Sequence, residues 1–92
     1  MEPLLKDKIQ LMAEYLISQC NDTNKVKQIN DTLTDLPLYK IILFINFLDL
    51  KKMDAQIDDF IKLFSLNDTE DSRNKIKEYL NYFIEVKSIL NN

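Results

Sequence analysis

The sequence predicts an all-α fold, a compact bundle of four to five helices around a central apolar helix at about residues 36–51. Apolar residues recur every three or four positions along most of the chain, the spacing of a helix with one buried face. No second stretch alternates apolar and polar residues, so a β-strand would lack a partner. Pro3 and Pro37 both suit the first turn of a helix. At 92 residues, we expect one helical domain spanning 1–92.

The central helix is predicted from the most apolar stretch, which begins at Leu36 and ends at Leu50. A buried strand also suits a short apolar run, but about fourteen residues is long for a strand. Asp35 offers an N-cap oxygen just before Pro37. Helical spacing puts large apolar side chains on one broad side, formed by Ile41, Phe44, Ile45, Phe47 and Leu48. The opposite side mixes apolar and polar residues, namely Leu38, Tyr39, Ile42, Asn46 and Asp49. A helix apolar on nearly every side is normally surrounded, and here the surroundings can include another molecule.

Two helices are predicted before this stretch. The first spans about 3–20 and has one apolar face, formed by Leu5, Ile9, Met12, Ala13, Leu16 and Cys20. The segment 22–34 has fewer apolar residues, and Lys25 and Lys27 near its start oppose the helix dipole. We therefore predict a short second helix that frays or breaks near Asn30.

Two more helices are predicted after the central stretch. The first, at about 55–65, has Asp54 as its N-cap and an apolar face formed by Ile57, Phe60, Ile61 and Phe64. The last spans about 70–90, and its apolar residues are spaced for bundle packing: Ile76, Tyr79, Phe83, Val86 and Leu90. Further apolar residues beside this seam make its apolar arc wider than one core contact requires.

This excess of apolar surface predicts an interaction site. Tyr82 and Ile89 on the last helix, with Tyr39 and Ile42 on the central one, lie at the edge of the arcs that can face one common core. Large apolar residues grouped on a surface commonly mark a binding site. We predict that these four residues contact a partner protein or a second copy of the chain. The alternative is that the bundle wraps around both helices and buries them.

Residue types that carry chemistry are scarce. The chain has no histidine, no glycine and one cysteine, Cys20, so we predict no catalytic residues, no phosphate-binding loop, no metal site and no cofactor. Acidic groups at 54–59 and 68–71 lack the spacing of a calcium-binding loop and suit helix starts. The tripeptide Asn-Asp-Thr occurs at 21, 30 and 67, and two copies are predicted to begin helices rather than to carry glycans.

Charge separates the remaining partner classes. A net charge of −3 disfavours nucleic acid and anionic membranes as main partners. A helix-turn-helix would present Asp-rich residues to phosphates, and Lys40, Asn46 and Asp49 interrupt any membrane span. The N-terminus lacks the pattern of a signal peptide, so a cytoplasmic location is expected. We predict a non-enzymatic protein-binding module, a small regulator, inhibitor or assembly subunit, with no evident small-molecule substrate. A membrane-surface bundle of the immunity-protein type and, third, a DNA-binding regulator are the alternatives.

Overall fold

The computed structural model describes the backbone of residues 2–91 and the side chains of residues 4–91. This part of the chain forms five α-helices: α1 Glu2–Gln19, α2 Thr23–Leu33, α3 Leu38–Phe47, α4 Met53–Leu63 and α5 Glu70–Leu90. A short 3-10 turn, Leu50–Lys52, precedes α4. Within residues 2–91 the one β-type pairing is an isolated bridge between Cys20 and Leu66. The predicted all-α bundle is confirmed.

The last helix, α5, joins the bundle together because it packs against α1, α3 and α4. Its pairing with α1 is antiparallel: the ring of Tyr79 lies 6.4 Å from that of Tyr15, and Tyr82 lies under Lys8, earlier in α1. The second helix, α2, packs on α1. The first and last helices therefore run side by side along the bundle.

A single apolar core lies between these helices. Its fully enclosed side chains come from α1, α2, α3, the residue after α3 and α5, and they include Met12, Leu16, Ile29, Ile41, Ile45, Leu48, Ile76, Leu80 and Phe83. The fourth helix adds three side chains that are more than nine-tenths buried, Met53, Ile57 and Ile61. The predicted buried face of the first helix is confirmed, except that Cys20 at its end is only half-buried. Among the described side chains, no buried nitrogen or oxygen atom lacks a hydrogen-bond partner.

The second helix differs from its prediction, because α2 continues through Asn30 without a break. The Asp22 side chain caps its start by accepting a hydrogen bond from the Asn24 N–H at 2.9 Å. At its end, the Asn30 carbonyl accepts a hydrogen bond from the Thr34 N–H at 3.1 Å. Ile29 is fully buried. The cap and this core contact outweigh the unfavourable lysines near the start, so the predicted break was wrong.

The central helix is shorter than predicted, since α3 covers Leu38–Phe47 rather than 36–51. Asp35 does not cap it: its φ of 62° places Asp35 in the left-handed region, and Pro37 occupies the N-cap position without a side-chain cap.

The fourth helix begins earlier than predicted, and Asp54 is not its N-cap. Asp54 lies in the first turn of α4, where its charge interacts favourably with the helix dipole, and Lys52 takes the N-cap position.

The start of α5 is fixed by a reciprocal pair of side-chain hydrogen bonds. Thr69 Oγ1 accepts from the Ser72 N–H, and Ser72 Oγ accepts from the Thr69 N–H, both at 3.0 Å. Ser72 is fully buried. With Asp22 capping α2, two of the three Asn-Asp-Thr tripeptides begin helices as predicted, and the third lies inside α2.

The single cysteine provides a direct test of packing at the junction after α1. Cys20 Sγ lies 3.0 Å from the Phe64 carbonyl oxygen and 3.3 Å from that of Asp22, and its side chain is half-buried. We expect thiol reagents to label Cys20 slowly in the native protein and quickly in denaturant. Absorbance after mixing with a disulfide reagent measures both rates. Equal rates in the two conditions would place the thiol on an open surface.

Candidate interaction surface

Large apolar side chains form an exposed row along α3. Tyr39, Leu43 and Phe47 are 63%, 64% and 68% exposed, and their spacing of four residues places them on one face. Leu50 in the following turn is 64% exposed. Phe47 and Leu50 border adjoining depressions that share Lys52 and Ala55. We call Tyr39, Leu43, Phe47 and Leu50 the α3 stripe.

The core contacts of α3 determine which face is outward. Ile41 and Ile45 are buried on the opposite side of the helix from Leu43. At the edge, the Phe44 ring packs edge-to-face on Phe83 at 5.8 Å between centroids. It also contacts Phe60 of α4 at 6.1 Å. The stripe is therefore presented to solvent by a helix that is held from behind.

Two side chains from other helices end α3 at Phe47. Gln56 is buried, and its amide donates to the Phe47 carbonyl and accepts from the Asp49 N–H, both at 3.1 Å. Lys87 of α5 donates from Nζ to the Leu48 carbonyl at 2.7 Å. These bonds satisfy backbone groups that a helix end leaves unpaired. They also fix the chain on which Phe47 and Leu50 are mounted.

The charge beside the stripe is opposite in sign to that of the protein. Lys40, Lys51 and Lys52 are all exposed. With Asp49, they give the segment 38–52 a charge of +2, which leaves −5 on the rest of a chain whose total is −3. The carboxylate of Asp49 accepts a hydrogen bond from the Lys51 N–H at 2.9 Å, so it also caps the 3-10 turn.

The four residues predicted from the sequence fall on different surfaces. Tyr39 belongs to the α3 stripe, and Ile42 is half-buried beside it. On α5, Ile89 is 60% exposed, but Tyr82 is half-buried between the Phe83 ring and Lys8 of α1. Tyr82 and Ile89 lie about 100° around α5 from Phe83, which faces α3. The structure does not bring the two pairs together.

Sequence reasoning missed Leu43 and Phe47, because it grouped Phe47 on one side of the helix with Ile41 and Ile45, which the structure buries. The stretch is so apolar that its helical wheel gives several equally good buried arcs. One signal was present: Lys40 precedes Phe47 by seven residues and so lies on the same face. A lysine seldom faces a core, and it marks that face as the outer one.

A separate cluster of charges ties α4 to the start of α5. The Arg73 guanidinium contacts Asp68 at 2.6 Å and Asp58 at 2.8 Å. The hydrogen bond from Arg73 holds the pKa of Asp68 below its usual range, and the bonds to Asp68 and then Asp58 raise the pKa of Arg73. Because the positive charge of Arg73 is balanced by the two carboxylates that it contacts, we interpret this cluster as an ion-pair network that stabilises the junction of α4 and α5.

This cluster predicts a specific loss of stability in acid. Because the folded-state pKa of Asp68 is lowered, its contribution is present above the ordinary value of 3.8 and is lost as pH falls through the lower folded value. The wild type should therefore lose more thermal stability on acidification than Asp68→Asn. Melting curves from about pH 5 to about pH 2 measure this. Asp31→Asn, an exposed change on α2, should parallel the wild type; parallel behaviour of Asp68→Asn would contradict the prediction.

The described residues include neither a group that could bind a metal ion nor a helix that could span a membrane. Residues 4–91 contain no group of three or more side chains that could hold a metal ion. No helix within residues 2–91 has both the length and the apolar character needed to cross a membrane.

The chain matches no protein-family model, no curated protein sequence and no solved structure.

Proposed function

We propose that the chain is a non-enzymatic protein-binding module, a small regulator or inhibitor of a larger protein or a subunit of an assembly. The observation that carries this proposal is the α3 stripe, where Tyr39, Leu43 and Phe47 stand exposed in one row. Grouped apolar side chains on a protein surface commonly mark a binding site. Aromatic residues are also enriched at the centres of protein interfaces.

The contacts that hold α3 in place support this role. Ile41 and Ile45 fix α3 to the core, and Gln56 and Lys87 fix the chain just beyond Phe47. A surface held in place before binding loses less conformational entropy when a partner docks. An apolar helix face packed against a partner is also a common mode of protein recognition.

The predicted contact residues contribute unequally to this proposal. Tyr39 is at the start of the stripe, and Ile42 would be reached at its edge. Ile89 is exposed on α5 and would belong to a second, smaller contact. Tyr82 already packs against Phe83 and Lys8, so little of its ring is left for a partner.

A membrane-surface bundle is the second candidate, favoured by one observation. Exposed lysines beside exposed aromatic and aliphatic residues are the pattern of helices that lie on anionic membranes. Co-flotation of the protein with phosphatidylglycerol vesicles tests this directly. Flotation that is lost in Phe47→Glu would favour the membrane over a protein partner.

Capture from a lysate of the source organism, with two matched variants, tests the proposal. Leu43→Glu and Ile89→Glu put the same charge in place of similarly exposed apolar residues, so neither should change folding stability by more than about 0.5 kcal/mol. We expect Leu43→Glu to reduce recovery of the partner at least about tenfold, equivalent to about 1.4 kcal/mol, and Ile89→Glu, which alters only the smaller contact, to reduce it by less than about threefold.

If Ile89→Glu reduces recovery of the partner and Leu43→Glu does not, the binding surface lies on α5 and not on α3. If both variants recover the same proteins as the wild type, the α3 stripe does not bind them and the proposal is wrong. Light scattering at several concentrations shows whether the wild type associates with itself, and the same two variants show through which face.

A further inference from the structure

Resting on the proposed function, we infer the chemistry of the partner: it presents an amphipathic helix whose apolar residues are flanked by Asp and Glu. The first observation is charge. The segment 38–52 carries +2 in a chain whose remaining residues carry −5. Charges beside an interface steer and select partners of opposite sign. A partner that matches the stripe therefore carries acidic residues beside its apolar ones.

The positions of the lysines show where acidic residues of a partner would lie along the stripe. Lys40 lies on the outward face beside the stripe, and Lys51 and Lys52 lie in the turn at its far end. Acidic residues at both ends of a partner segment would meet them. The depression beside Leu50 is lined by Lys51, Lys52 and Lys77 and by one acidic residue, Asp54, so its basic groups outnumber its acidic one. The adjoining depression beside Phe47 has two residues of each sign.

The shape of the stripe favours a helix as the docking segment. Tyr39, Leu43 and Phe47 follow one ridge of α3, with residues four apart, over about 12 Å of helix. Ridges of this kind pack into the grooves of a second helix. The 10-residue α3 presents about three turns, which matches a docking segment of similar length.

Two other occupants fit the charges less well. A second copy meeting the first on this face would bring together two segments of charge +2. A flat anionic membrane would also approach α4, where Asp54 and Asp59 are exposed close to the stripe. A single partner helix is narrower than a membrane surface, so it can contact the stripe while staying farther from Asp54 and Asp59.

Two synthetic helical peptides test the inference. Both carry the same Leu and Phe stripe, and one is flanked by Glu and the other by Lys. In amide NMR spectra of the full chain, we expect the Glu peptide to shift residues of α3 and the 3-10 turn. Its binding should be at least about tenfold tighter than that of the Lys peptide, and added salt should reduce the difference. The triple variant Lys40→Glu, Lys51→Glu, Lys52→Glu should reverse the preference.

Four results would overturn the inference. They are equal binding of the two peptides, no binding of either, shifts confined to other helices, and binding to phosphatidylglycerol vesicles without binding to the Glu peptide. If lysate capture still depends on Leu43 while the peptides fail, the partner chemistry is wrong and the proposed function stands. If capture no longer depends on Leu43, the proposed function fails as well.

Discussion

Replacement of Phe83 by Ala is expected to lower the free energy of unfolding by about 3–5 kcal/mol. The Phe83 ring has no exposed surface, and it packs against Phe44 at 5.8 Å and Tyr82 at 5.4 Å between centroids. Removing it leaves a cavity where α3 and α5 meet. Urea denaturation followed by far-UV circular dichroism measures the change.

Phe47→Ala is the matched control because it removes the same atoms from an exposed position. Phe47 is 68% exposed, so its loss should change the free energy of unfolding by less than about 0.5 kcal/mol. Phe83→Ala tests the packing of α5 against α3, and Phe47→Ala tests whether the Phe47 face of α3 is outward. A large loss in Phe47→Ala, or a small one in Phe83→Ala, would contradict the orientation and remove the basis of the α3 stripe.

The helices that the sequence predicted best have a clear polar side. The last helix was predicted at about 70–90 and is observed at Glu70–Leu90, and the first matches within a residue or two. In both helices, charged residues recur at helical spacing on the side opposite the apolar residues, so the polar face is easy to identify. Their ends are set by local signals, such as the hydrogen bonds between Thr69 and Ser72.

The end of α3 could not be predicted because distant residues determine it. Gln56 bonds to the carbonyl of a residue nine positions earlier, and Lys87 to one thirty-nine positions earlier. No local pattern indicates that these side chains meet the chain after Phe47. Local propensity alone extended the helix to 51, whereas tertiary hydrogen bonds stop it at Phe47.

The sequence predicted exposed apolar residues on the central helix, but it identified only Tyr39 among the four residues of the α3 stripe. Tyr39 and Ile89 are exposed, whereas Tyr82 packs against its neighbours because α1 brings Lys8 over its ring. That contact depends on how two helices at opposite ends of the chain pair, which a helical wheel does not contain. Leu43 and Phe47 became visible only once Ile41 and Ile45 were known to face the core.

The buried amide of Gln56 is expected to contribute substantially to stability through its two hydrogen bonds to the chain after α3. Gln56→Leu keeps a similar volume but leaves the Phe47 carbonyl and the Asp49 N–H without their partner. Both hydrogen bonds are part-buried, and the loss of a bond of this kind costs about 0.5–1.5 kcal/mol, so we expect a loss of about 1–3 kcal/mol in the free energy of unfolding. Gln28→Leu, an exposed change on α2, should cost less than about 0.5 kcal/mol.

Hydrogen exchange identifies the origin of that loss. The Asp49 amide should exchange slowly in the wild type, because Gln56 accepts its hydrogen bond, and much faster in Gln56→Leu. Amides in α1, far from the change, should accelerate only in proportion to the global loss of stability. Because Phe47 is carried by the same segment, partner capture should also weaken in Gln56→Leu when measured well below its unfolding transition. Unchanged exchange at Asp49 would show that Gln56 does not hold the end of α3, and that the orientation of Phe47 has another source.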